Sequence, residues 1–179
     1  SAVFEQSQIG SGASSATAGV IGPIWHIDRS ATATFALGLR SLQMFPALAA
    51  QLCEAGINPG FKQTGIMKLA LTPEHVSTLQ DNLIWQKELD LGVTWLNKDE
   101  IIAREPNLSN NILGAVFSPN EGHIEGQRYV DALVNAAKMN GAAFWPDTEI
   151  TGLITKGNKV QGVSTSTGTV HCGHTVLAA

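Results

Sequence analysis

The chain has 179 residues, 44% of them hydrophobic, and a formal net charge of −4 at pH 7, a composition that supports a folded core of one or two small domains. No basic stretch is present to neutralise phosphates, which argues against a nucleic-acid partner. No apolar run approaches the ~20 residues of a membrane-spanning helix, the first residues lack the order of a signal peptide, and the two cysteines, Cys53 and Cys172, form no Cys-x-x-Cys pair, so a reducing, cytoplasmic setting is expected.

Ala2-Val-Phe4 reads as a short apolar strand closed by Glu5, and a loop crowded with small residues runs on to Gly19. In a dinucleotide fold the carboxylate closing the second strand accepts hydrogen bonds from the adenosine ribose, while small residues downstream let backbone N–H groups approach a pyrophosphate. Glu5 is the candidate acid. The Gly-x-Gly-x-x-Gly turn should lie about 20 residues before it, yet four residues precede Glu5, and the expectation is a piece of a longer enzyme. Composition alone would allow Gly10 to Gly19 to be a flexible linker. The apolar residues Ile9, Val20, Ile21 and Ile24 on its flanks predict an ordered loop instead.

Phe35, Leu39, Leu42, Phe45, Ala49 and Leu52 recur on one helical face and predict a helix from Ala33 to Ala55, with a kink or a break at Pro46 and a terminating glycine at Gly56. Gly65 to Thr72 reads as a strand, and Thr72-Pro73 opens a helix through about Leu91. Asn97 with Glu100 predicts a capping box on a short helix closed by Pro106. Ile112 to Ser118 is strand-like. Val130, Leu133, Val134 and Ala137 stand at amphipathic spacing in a helix from Gln127 to Asn140, expected to pack on a sheet and to end at Gly141. Ala142 to Trp145 is a short strand, Glu149–Thr155 and Lys159–Ser164 form a hairpin around Gly157-Asn158, and Thr169 to Ala178 reads as a buried final strand.

Several pieces together resemble a known family: Val3-Phe-Glu5; Gly10-x-x-x-Ser14-Ser15-Ala16-x-Ala18-Gly19; Gly65-Ile-Met-Lys-Leu-Ala70; Glu105-Pro106; Gly114-Ala-Val-Phe117; His123-Ile-Glu125; Ala136-Ala-Lys-Met139; Gly141-Ala142; and Val176-Leu-Ala-Ala179. In this order they are similar to the flavin-dependent D-amino-acid oxidase and glycine oxidase family, with the glycine oxidase branch nearest. The resemblance implies an α/β (α+β) chain: a partial Rossmann-like FAD-binding domain, residues 1–57 and 120–179, interrupted by part of an antiparallel-sheet substrate domain, residues 58–119. It further implies that Glu5 and Gln6 meet the adenosine ribose, that Ala13 and Ser14 lie at the pyrophosphate, that Ala18, Gly19 and Val20 lie at the ribityl and ring side, and that the backbone of Ile150 faces adenine. On that reading Gly19 lets the main chain pass beside a flat ring. Ala16 stands where some members attach flavin covalently to a histidine, so non-covalent FAD is expected.

The chemistry so implied is hydride removal from the carbon bearing a primary or secondary amine of a small amine or amino acid, giving an imine that hydrolyses to a carbonyl compound. The family's arginine and tyrosine for the substrate carboxylate lie in its C-terminal half, so no catalytic residue is assigned, and the fragment alone is expected to be inactive. Two other readings stay open: a non-catalytic module that a second copy or complementing chain completes, and another flavoenzyme of the same fold, such as a glycerol-3-phosphate dehydrogenase relative. His171, Cys172 and His174 lack a second ligand pair, and no metal is expected there. His26 reads as a partly exposed loop residue, His123-Ile-Glu125 as a turn capping the next helix, and Trp85 and Trp95 as core.

Overall fold

The computed structural model describes residues 1–26 and 32–178; the side chains of Trp25, His26 and Thr32 fall outside the description, and with them the expected exposure of the His26 ring. Strand β1 (Ala2–Phe4) pairs in parallel with β7 (Ala143–Trp145), a far-apart parallel pair that requires a crossover between them. The intervening chain supplies β2 (Val20–Ile21), α1 (Pro23–His26), α2 (Thr32–Glu54), β3 (Ile66–Ala70), α3 (Pro73–Glu88), β4 (Thr94–Leu96), α4 (Lys98–Arg104), β5 (Gly114–Ser118), β6 (Gly122–His123) and α5 (Gly126–Met139). After β7 come β8 (Ile150–Lys156), β9 (Lys159–Thr165) and β10 (Gly168–His171), an antiparallel meander in the order β10-β9-β8.

Local chemistry accounts for the helix ends. Asn97 accepts from Glu100 N at 3.0 Å while Glu100 accepts from Asn97 N at 2.8 Å, the expected capping box. Thr72 caps α3 through His75 N at 3.2 Å, with Pro73 behind it. At the other end of α2, Gly56 has φ +99°, its N–H reaches Cys53 O at 3.0 Å, and Ile57 N reaches Leu52 O at 3.2 Å. The same paired bonds close α5 at Gly141, φ +80°, each glycine taking a left-handed conformation that a β-carbon would strain. Proline 46 does not divide α2, which runs unbroken from Thr32 to Glu54.

The order β3-β5-β4 forms an antiparallel sheet covered on both faces. Strand alternation sends Val116 toward the core built by Phe35 and Leu42 of α2 and Leu79, Leu83 and Trp85 of α3. Ala115 and Phe117 turn to the opposite face, where Leu96, Ile101 and Ile112 enclose a second core. Burial on both sides explains why β5 reads as a continuous apolar run. Trp85 meets Phe35 edge-on, ring centroids 5.7 Å apart.

Three expectations need correction. Strand β4 begins where Trp95-Leu96 was expected to lead directly into a helix, because three residues pairing with β5 carry no period of their own. The final strand stops at His171, and Val176 and Leu177 stand 87% and 73% exposed with no described element over them. Helix α5 packs chiefly on α2 and on the turn Ala13–Ser15, and meets β7 through Lys138, whose Nζ lies 5.7 Å from the Phe144 ring centroid.

Ile101 is wholly buried. Ile101→Ala should lower stability by about 2–5 kcal/mol, read as a fall in Tm, while Leu133→Ala on exposed α5 surface should change it by less than about 1 kcal/mol. Burial raises the Tyr129 hydroxyl above its ordinary value, so the unfolded chain gives up that proton first as pH rises. The stabilisation is complete below the unfolded pKa of about 10 and is lost above it. Tyr129→Phe should therefore flatten the alkaline end of the stability profile in denaturant titrations.

Candidate functional site

The end of β1 is held by a second loop. Glu5 N donates to Trp145 O at 3.1 Å, Thr148 N donates to Glu5 O at 2.9 Å, and Asp147 N donates to Ser7 O at 3.1 Å. Gln8 Nε2 reaches both carboxylate oxygens of Asp147, at 3.1 and 2.9 Å. These bonds bring Glu5 beside the segment that enters Ile150, joining two sequence-predicted positions separated by most of the chain. The Glu5 side chain is half-buried; its Oε1 accepts from Ser7 N at 3.0 Å, and its Oε2 takes no hydrogen bond among the described residues.

The small-residue loop is ordered by its own bonds rather than being a linker. Ala13–Ser15 forms a 3-10 turn, Ser15 Oγ donates to Ser11 O at 3.1 Å and to Gly12 O at 2.8 Å, and Thr17 Oγ1 accepts from Gly19 N at 3.0 Å. The turn sits on the start of α5, where Gly126 leaves room for it: a β-carbon there would strike Thr17 and come within 2.9 Å of Ser14 O. Gln6, Ala13, Ser14 and Ala18 are all exposed, and Val20 is 49% exposed. Ile150, at the start of β8, is half-buried.

Gly19 has an internal reason to be glycine. Its φ is +69°, and a β-carbon would fall inside the Ile124 carbonyl oxygen, while Ile124 N donates to Gly19 O at 2.8 Å. The missing side chain makes room for the chain's own backbone. Val20 pairs directly with His123, and on either side of Gly19 Ala18 and Val20 remain exposed. His123 therefore belongs to a strand and not to a turn. Glu125 stands before α5 without a side-chain cap and instead pairs with Arg128 Nη1 at 2.9 Å.

Glu121 was missed altogether. It is 1% exposed, and its Oε1 accepts from Ile24 N at 2.6 Å, pinning the start of α1 to the turn before β6. The sequence Pro119-Asn-Glu-Gly122 carries every mark of a solvated turn, and no local signal distinguishes this carboxylate. Among the described residues no three His, Cys, Asp or Glu side chains group as a metal site, and no helix is long and apolar enough to cross a membrane.

An acid at a strand end with one oxygen uncommitted, an exposed run of small side chains and a second strand start tied alongside fit the adenosine and pyrophosphate portions of FAD. Residues 1–179 match the DAO family, FAD dependent oxidoreductase. The chain belongs to this family of FAD-dependent oxidoreductases. It is 36% identical over 151 residues to glycine oxidase of Geobacillus kaustophilus (strain HTA426), covering 83% of this chain and 40% of the relative. Glycine oxidase of Bacillus licheniformis is 31% identical over 179 residues, 99% of this chain and 47% of the relative. The solved glycine oxidase of Bacillus cereus ATCC 14579 superimposes with a TM-score of 0.87 at 32% identity, over 96% of this chain and 46% of that one. The chain thus spans about half the length of the curated relatives it matches.

Gly19→Val should destabilise the fold itself, because the new side chain meets backbone rather than a movable neighbour. The expected loss is at least about 3 kcal/mol, combining overpacking with the strain of a left-handed β-branched residue. Thermal denaturation without added flavin reads it, and an unchanged Tm would refute the packing account.

Proposed function

We propose that this chain supplies the FAD-binding half of an oxidoreductase acting on a primary or secondary amine or a small amino acid, of the glycine, sarcosine or D-amino-acid type. Residues 1–57 and 120–179 belong to its FAD-binding domain and residues 58–119 to its substrate domain. The observation that carries the reading is the join between Glu5 and Thr148, which sets an acid, an open loop of small residues and the start of β8 side by side. Relatives named glycine oxidase, D-amino-acid oxidase and sarcosine oxidase subunit beta support the substrate class.

Each residue has a limited task. Glu5 accepts hydrogen bonds from the adenosine ribose hydroxyls, and Gln6 beside it offers a neutral donor and acceptor. The backbone of Ala13 and Ser14 approaches the pyrophosphate without side chains in the way. Ala18, Gly19 and Val20 line the ribityl and ring portions, and the Ile150 backbone faces adenine. Bound FAD supplies the acceptor for the hydride leaving the amine-bearing carbon. Ala16 offers no nucleophile, so the cofactor is held without a covalent bond. Cys53 and Cys172 are free thiols, which fits a cytoplasmic protein.

Glu5→Ala removes a charged acceptor, and hydrogen bonds to charged groups contribute about 1.5–3 kcal/mol. FAD affinity should fall roughly 10- to 100-fold by fluorescence titration. FMN lacks the adenosine ribose, so its affinity should stay unchanged in the same variant. Equal losses for both ligands, or no loss of FAD affinity, would overturn the assignment of Glu5.

A further inference from the structure

Beneath α1, between α3 and the β3-β5-β4 sheet, lies a cavity of about 30 Å³, lined on its apolar side by Leu79 and Val116 and on its polar side by Lys68, Asn82, Gln86, Ser118 and Glu121. Gln86 and Ser118 are 6% and 4% exposed, and neither Gln86 Oε1 nor Ser118 Oγ has a hydrogen-bond partner among the described residues. One sits near the end of α3 and the other ends β5. Buried polar atoms are almost always bonded, to protein or to ordered water.

We propose that this cavity is a permanent internal water site bridging α3 to β5. Its volume exceeds the roughly 10–15 Å³ that a single water needs, and a water there requires two to four polar partners. Gln86 Oε1 and Ser118 Oγ accept its two hydrogens. A third partner is at hand in Asn82, whose Oδ1 is engaged by Trp85 Nε1 at 3.2 Å and whose amide N–H groups are left to donate. The size admits one or two waters. The inference does not depend on the flavin assignment.

Crystals of the unaltered protein, examined with and without xenon pressure, test it directly. Density within about 2.7–3.2 Å of both Gln86 Oε1 and Ser118 Oγ, with no xenon uptake, is expected. A cavity that admits xenon, or that shows no density, overturns the proposal, because dry apolar cavities bind xenon and occupied polar ones do not. In solution, Gln86→Leu and Ser118→Ala should each shift the folding equilibrium about 5- to 10-fold toward the unfolded state. The double variant should cost clearly less than the product of the two, since both strip the same water. Independent, multiplicative losses would count against a shared water, and if either variant fails to fold the crystallographic result decides alone.

Discussion

The structure depends on a four-residue crossing, Glu121 to Ile124, where distant parts of the chain meet backbone to backbone. Gly65 N donates to Glu121 O at 2.9 Å, Lys62 N donates to His123 O at 2.8 Å, and His123 N returns to Lys62 O at 3.0 Å. On the other edge Ile124 N reaches Gly19 O at 2.8 Å, and the Glu121 carboxylate takes Ile24 N at 2.6 Å. The approach is close enough that only glycine fits beside it: a β-carbon on Gly19 would overlap Ile124 O, and one on Gly122 would overlap Lys62 O. Ile124 ties the crossing into the main hydrophobic core. Its register is fixed by these hydrogen bonds, by the room that Gly19 and Gly122 leave and by the burial of Ile124.

The candidate site follows from that constraint. The small-residue loop is fixed at one end by β1 and the Asp147 loop and at the other by the Gly19–Ile124 contact. Between these anchors it buries no side chain, so its backbone stays open while its path is defined. Helix α5 completes the support through Gly126, which lets the turn Ala13–Ser15 settle on the helix start. An open but ordered backbone is what close approach to an anionic ligand requires, and it is costly to maintain unless elements outside the loop carry the packing. The two cores around β3, β4 and β5 do that.

Much of this was legible in the sequence because it rests on short-range chemistry. The Asn97–Glu100 box, the Thr72-Pro73 start, the Gly56 and Gly141 stops and the Gly157-Asn158 turn each depend on a few adjacent residues and their backbone freedom. The strand-loop order at Glu5 and the motif series of the family were visible for the same reason. Strands β2, β4 and β6 were not, since two or three residues hold too little pattern to announce pairing. Of the kink or break expected at Pro46, the break does not occur, because α2 continues through it. The final apolar residues read as buried because their composition suits a strand, but composition does not supply the neighbour that would cover them.

By itself, the sequence determined the longer helices and strands, their caps and turns, the flavin-dependent family and the candidate acid at Glu5, all of which are properties of residues near one another along the chain. Only the tertiary structure decided that Gly19 lies against the Ile124 carbonyl with no room for a β-carbon, that Glu121 is a buried anchor rather than a solvated turn residue, and that Glu5 lies beside the strand beginning at Ile150. The physical reason is common to all three: burial and close backbone contact are made between residues far apart in sequence, and a glycine or a carboxylate carries no local mark of the partner that its fold will bring to it.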